Sequence, residues 1–329
     1  MANKPVASSL GLLALGALPF VLSDYRVFQL TMVMISSIAL LGLNLLTGYG
    51  GQISLGHGAF YGIGAYTTAI LVHELQVPYG LTIPCAGIAC ALLGFLFGWP
   101  ALRLEGIYLA LATFALGVVL PQILKYRGIE GWTGGVQGIT LTKPEAPFGL
   151  PLSADHWLYY LCLAIALLSF VVARNLVRGP TGRAIVAIRD HRIAASSAGI
   201  DTAMYTSITF GISAMYAGIA GSLGALTVQF VGPDSFSIYF SIGLLVGIVV
   251  GGVATISGAI YGALFIQFVP NIADDVSKAA PWAIYGIVLI ACAHVMPSGV
   301  AGWLERLSAP RKVLESTRAE RMTLTQEEP

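Results

Sequence analysis

The sequence predicts an all-α protein, a polytopic transmembrane helix bundle of about ten spans, or eight to nine if some segments only dip into the bilayer. Three observations predict it. Charged residues make up 10% of the 329 residues and hydrophobic ones 56%, whereas soluble domains carry about 25% charged residues. The mean hydropathy is +0.80. The chain also divides into charge-free runs at 5–23, 27–72, 75–102, 106–124, 157–173, 202–233, 235–273 and 279–304; a crossing needs about 20 apolar residues. The short alternating strands of a membrane β-barrel do not occur in this pattern.

The elements follow in order. Run 5–23 follows Lys4, and its apolar length and the membrane character of all that follows favour a first span over a signal peptide. Run 27–72 is too long for one crossing and should break at Gly48, Gly50 and Gly51. Run 235–273 should turn within Gly251-Gly252-Val253-Ala254-Thr255. Small residues recur four apart at Gly58/Gly62, Ala214/Gly218/Ser222, Gly243/Gly247/Gly251 and Gly258/Gly262. That spacing puts them on one helix face, where backbones approach closely in lipid. Cys85, Cys90, Cys162 and Cys292 lie in apolar runs without CxxC or zinc-ligand spacing, and read as small buried hydrophobes.

Charge sets the orientation. The stretch 174–192 holds Arg174, Arg178, Arg183, Arg189 and Arg192 against Asp190, and the tail adds Arg306, Arg311, Lys312, Arg318 and Arg321. Placing both in the cytoplasm satisfies the positive-inside rule and leaves both termini inside. Lys125, Arg127 and Lys143 then fall in an outer loop, against the rule. The chain divides into an N-terminal segment with the first helix (1–26), a membrane domain (27–304) and a charged tail (305–329). The membrane domain carries the outer loop (125–156) and the basic segment (174–201).

Balanced charge, 17 Lys+Arg against 16 Asp+Glu, excludes a basic nucleic-acid binder. No phosphate-binding GxxxxGK[ST] loop, HExxH pair or nucleophile set is present. The reading is therefore not an enzyme, with no catalytic residue, no metal site and no cofactor. Asp24, Glu74, Asp234, Asp274 and Asp275 fall at span ends, so the interior lacks the ionisable group that ion-coupled carriers use. It holds instead Asn44, Gln52, Ser54 and His57 around the first glycine break. Broken polar backbone survives at membrane depth only inside protein or along a cavity, so these four either line a substrate path or hydrogen-bond helices together. In the basic segment Pro180 opens one short helix, and a second runs 191–198 to Gly199. Ala184, Ile185, Ala187 and Ile188 lie toward one side of the first, with Arg183, Arg189 and Asp190 to another. Such a pair is either a docking element for a soluble partner or a plain positive-inside loop.

Several blocks resemble one family. Residues 47–71, TGYGGQISLGHGAFYGIGAYTTAIL, are similar to the signature of branched-chain amino acid ABC transporter permeases of the M type (LivM-like). Residues 102–116, Thr133-Gly134-Gly135, 178–201, 251–265 and 296–304 resemble further blocks of that family in the same order. The resemblance implies an ABC importer permease fold, a multi-pass place in the cell inner membrane, and four kinds of partner. These are membrane lipid, a second homologous permease (a heterodimer), two cytoplasmic ATPase subunits that carry ATP and Mg, and a periplasmic substrate-binding protein. By the resemblance, Gly182, Arg183, Ala187, Ile188, Arg189, Ala194, Ala195 and Gly199 form the ATPase-coupling helix pair. The run 189–197 is less acidic than the family pattern. Substrates implied are branched-chain amino acids, with urea, amides or aromatic acids as alternatives within the family. A stand-alone ion-coupled carrier is the rival reading from another class.

Overall fold

A computed structural model describes residues 15–101, 106–147, 151–276 and 281–308. Residues 15–21 are helical, and then α1 (Asp24–Asn44) begins. It passes into one π-helical turn, Leu45–Tyr49. Non-helical backbone follows until α2 (His57–His73). Two long apolar helices come next, α3 (Tyr79–Ala101) and α4 (Ile107–Leu124). After them lie a short turn α5 (Glu130–Thr133) and strand β1 (Ile139–Thr140). Ser153 caps α6 (Ala154–Arg178), its side chain accepting from His156 N. The basic segment forms α7 (Pro180–Asp190) and α8 (Arg192–Ser197). Asp201 caps α9 (Thr202–Val228), which leads to β2 (Phe230–Val231) and a 3₁₀ turn, Pro233–Phe236. The chain continues through α10 (Ile238–Gly251), α11 (Gly258–Val276), α12 (Pro281–Val295) and α13 (Gly299–Ser308).

Among the described residues five helical stretches are long and apolar enough to cross a membrane: Asp24–Tyr49, Tyr79–Trp99, Ile107–Leu124, Ala154–Arg178 and Thr202–Val228. The chain is thus an all-α membrane bundle. Most of expected run 5–23 and most of the tail 305–329 lie outside the described residues.

The helix ends sort into two groups by contact. At one end the strands pair antiparallel, Ile139 opposite Val231 and Thr140 opposite Phe230. There Lys125 meets Asp234 at 2.6 Å, Lys143 pairs with Asp155, and Trp157 Nε1 donates to the Tyr79 hydroxyl at 3.0 Å. Thr133 Oγ1 ties this loop down by donating to Leu124 O at 2.7 Å. At the other end lie the π turn, α7, α8, the loop 252–257 and α13. We call these the strand end and the basic end.

Helix α9 forms the axis, packed along α1, α2 and α3. Its small residues are what allow the approach. A Cβ on Gly218 would strike Cys90 Sγ at 2.6 Å, Gly64 abuts the Gly218 backbone, and Gly221 abuts the Tyr61 carbonyl. Thr68 Oγ1 donates to Ser222 Oγ at 2.6 Å across the same face. Large side chains on this face would push the backbones apart.

The packing glycines sort less evenly than spacing alone suggests. Gly58 faces Ser241 Oγ, Gly62 the Phe236 ring, and Gly247 faces Ile266 and Leu40. Gly251 and Gly258 close on each other, and Gly262 abuts the Gly247 carbonyl. Gly243 differs from the rest: among the described residues nothing lies within 4 Å of its Cβ position. It opens instead onto an apolar cavity of about 690 Å³ beside Ser36, Tyr239 and Ile266. The cysteine expectation also needs correction, because Cys90 and Cys162 are buried but Cys85 is exposed and Cys292 half-buried.

Candidate functional site: two helix breaks beneath a basic helix pair

Both expected breaks exist, and they touch. The first starts where the α1 ladder loosens into the π turn. Gly50 N donates to Leu45 O at 3.0 Å and Gln52 N to Leu46 O at 3.1 Å, so the last bonds reach five and six residues back. Gly51 then takes φ +67°, a left-handed conformation open to glycine. The chain runs back alongside its own helix, and His57 Nε2 donates to Ala39 O at 3.2 Å. Ala39 lies ten residues before Tyr49, so α2 begins about 15 Å inside the bundle from the basic end, at 1.5 Å per helical residue. Leu55 N finds its acceptor on Thr113 Oγ1 of α4 at 3.0 Å.

The second break is compact. Gly252 (φ +125°) ends α10, and Thr255 Oγ1 donates to Gly252 O at 2.7 Å. Asn44 from α1 clamps this loop. Its Nδ2 donates to Thr255 O at 2.7 Å, and its Oδ1 accepts from Ala254 N at 2.9 Å. Gly48 lies on the same spot, its Cβ position 2.5 Å from Ala254 N. A side chain there has no room.

The four expected path residues therefore part company. Asn44 is 1% exposed and spends its whole amide on the loop. His57 is buried against α1. Ser54 Oγ and Gln52 Oε1 are buried with no hydrogen-bond partner among the described residues. Unpartnered buried polar atoms are costly, so these two are the strained polar groups of the break.

The basic segment folds as its sequence predicts. Pro180 occupies the first turn of α7, and Gly199 takes φ +83° just past α8. Ala184 and Ile185 are buried, Ala187 and Ile188 half-buried, and Arg183 exposed. Gly182 abuts the Val177 backbone. A narrow crevice joins Ile185 and Ile188 to Gly50 and Gln52 of the first break and to Thr209 of α9. On α8 Ala195 is buried and Ala194 exposed. Ile193 is 76% exposed, an apolar knob that helical patterning did not single out.

Arg189 sits on the polar face of α7, yet its head group turns toward the bundle. Nη1 donates to Gly48 O at 3.1 Å, while Nε and Nη2 bind Asp190 Oδ1 at 2.8 Å. Below it a wider cavity of about 680 Å³ is lined by Tyr49, Arg174, Arg178, Thr255, Ser257 and Glu305, among others. Among the described residues no group of His, Cys, Asp and Glu could hold a metal ion.

Sequence patterning located the Ala254–Thr255 turn but not its Asn44 partner, and it missed Thr113 and Ile193. A second signal marks the same turn. Gly58-Ala59-Phe60-Tyr61-Gly62 recurs as Gly258-Ala259-Ile260-Tyr261-Gly262, each following a Gly-Gly pair, at 50–51 and 251–252. The repeat marks two chain reversals of one kind.

Comparison with known proteins agrees with the architecture. Residues 25–293 match the family model described as branched-chain amino acid transport system / permease component. The chain is 34% identical over 297 residues to the high-affinity branched-chain amino acid transport system permease protein LivM of Salmonella typhimurium, covering 83% of this chain and 69% of that protein. LivM of Escherichia coli K12 matches at the same identity and coverage. The high-affinity branched-chain amino acid transport system permease protein LivH of Escherichia coli K12 is 25% identical over 303 residues, 81% of this chain and 92% of that one. No solved structure matches the chain. A broken-helix bundle with this sequence likeness belongs to the family of branched-chain amino acid transport permeases.

Proposed function

We propose that the chain is the membrane permease subunit of an ATP-driven importer for branched-chain or similar small, largely apolar amino acids. It works in the inner membrane with a second, homologous permease, two cytoplasmic ATPase subunits and a periplasmic binding protein. The ATP and Mg belong to the ATPases. The observation that carries the reading is the α7–α8 pair. It lies outside the spans, packs Ile185 and Ile188 against the first break, and turns Arg183, Ile193 and Ala194 outward.

On this reading the basic end is cytoplasmic. The helix ends then alternate through about ten crossings, counting α2, α10, α11 and α12 with the five longer helices and the helix before α1. Gly182, Ala187, Ala195 and Gly199 shape the docking pair, and Arg183, Ile193 and Ala194 meet the ATPase. Movement of the pair opens the path alternately to each side, with Gln52 and Ser54 along it. Their neutral polarity suits a zwitterion whose charges cancel. Among the described residues no carboxylate is buried, which disfavours a stand-alone ion-coupled carrier.

The test is ATP hydrolysis and uptake by the reconstituted complex, with binding protein loaded in turn with leucine, urea and benzoate. Stimulation and uptake with leucine alone support the reading; a response to urea or benzoate moves the substrate within the family. Uptake without any ATPase subunit would overturn the importer reading itself.

A further inference from the structure

We infer that Arg189 is a positioning residue, the strut through which movement of α7 reaches both helix breaks. The inference rests on the docking role proposed for α7. Three independent features place the strut. Its Nη1 donates to Gly48 O at 3.1 Å, in the middle of the π turn. Its stem lies over Gly51, where an added Cβ would come within 2.6 Å of Arg189 Cγ. The rest of the guanidinium is held by the neighbouring Asp190 at 2.8 Å, so the head group is aimed before it meets Gly48. A planar guanidinium with several donors can make both contacts at once.

What it touches matters more than the bond. Gly48 is wedged against Ala254 and Asn44, and the Asn44 amide holds the Ala254 and Thr255 backbone. A push on α7 is therefore delivered at one point, Gly48, to the end of α1 and to the loop between α10 and α11. The π turn is the yielding element. Its bonds from Gly50 and Gln52 can shift register by one residue toward a regular helix, which gives the two arrangements that coupling requires. Contiguity alone would not establish coupling, so the test measures it.

The first measurement uses the full chain in nanodiscs without partners and follows backbone hydrogen exchange. Arg189→Ala should speed exchange across 45–56 about tenfold, the scale expected for loss of one hydrogen bond to a charged group. Arg189→Lys should recover part of the protection, because it keeps one donor within reach. Unchanged exchange in Arg189→Ala would overturn the strut.

The second measurement uses the reconstituted complex and reads ATP hydrolysed per leucine imported. Arg189→Ala should co-purify with the ATPases at wild-type yield, yet consume several-fold more ATP per leucine than the wild type. Loss of the ATPases from that variant would overturn the strut, because the head group would then belong to the docking face. Wild-type chain that captures no ATPase, with exchange still sensitive to Arg189, would instead sink the docking proposal and leave the strut standing.

Discussion

The two breaks begin from nearly the same sequence and end in different physical states. Each has a Gly-Gly pair ahead of a Gly-Ala-X-Tyr-Gly helix start. In the first, seven residues separate Gly50 from Gly58; in the second, six separate Gly251 from Gly258. The longer spacer runs along α1 and leaves Gln52 Oε1 and Ser54 Oγ without a partner among the described residues. The shorter one folds onto Thr255 and is clamped by Asn44. Polar satisfaction, more than glycine content, separates the clamped break from the open one.

The sharpest challenge to the comparison is at the clamped break. Gly262→Leu would drive a side chain into the Gly247 carbonyl, and should cost more than about 4 kcal/mol, enough to prevent a stable bundle. Size-exclusion of the solubilised protein should show aggregate in place of a monodisperse peak. A normal peak would mean that the α10–α11 hairpin tolerates separation.

Asn44→Ala comes next. It strands the part-buried Ala254 N–H and Thr255 carbonyl, at about 1 kcal/mol for each hydrogen bond lost. The thermal midpoint should fall by several degrees, and hydrogen exchange should rise in 252–258 more than in 50–56. Equal effects on both breaks would erase the distinction between them.

Thr113→Val removes the acceptor of Leu55 N and should cost about 1 kcal/mol, read as a smaller drop in the midpoint. Ser54→Ala should be the mildest for stability, within about 0.5 kcal/mol, because Ser54 Oγ has no partner among the described residues to lose. Its effect should appear in uptake instead, as a raised KM for leucine. A large loss of stability without a change in uptake would make Ser54 part of the framework.

Local features were legible in the sequence because their causes are local. Glycine clusters within overlong apolar runs located both breaks to within a few residues. Pro180 and Gly199 bounded the basic pair, and the spacing of Ala214, Gly218 and Ser222 marked the face of α9 that packs. Features that depend on distant partners were not legible. Asn44 meets a loop some 210 positions away, so its polarity could not be told apart from that of a path residue. Arg189 finds Gly48 across 141 positions, while helical patterning alone points it outward with Asp190. Gly243 shares its spacing with Gly247 and Gly251 but lacks a neighbour among the described residues. The pairing of β1 with β2 involves two residues on each side, too few to leave a periodic signal.

The axis along α9 has a consequence for how such a bundle can move at all. Where Gly64 meets Gly218 and Gly221 meets the Tyr61 carbonyl, main chain lies against main chain. A contact of that kind has no rotamers to exchange. Side chains that interdigitate can re-seat in a second arrangement, as sliding helices do; bare backbone surfaces have one fit. Helices α2 and α9 should thus turn as a single solid body, with elastic deformation confined to its margins. The molecule is built like a shaft with two flexures at its basic end, and its stroke is set by how far those flexures bend.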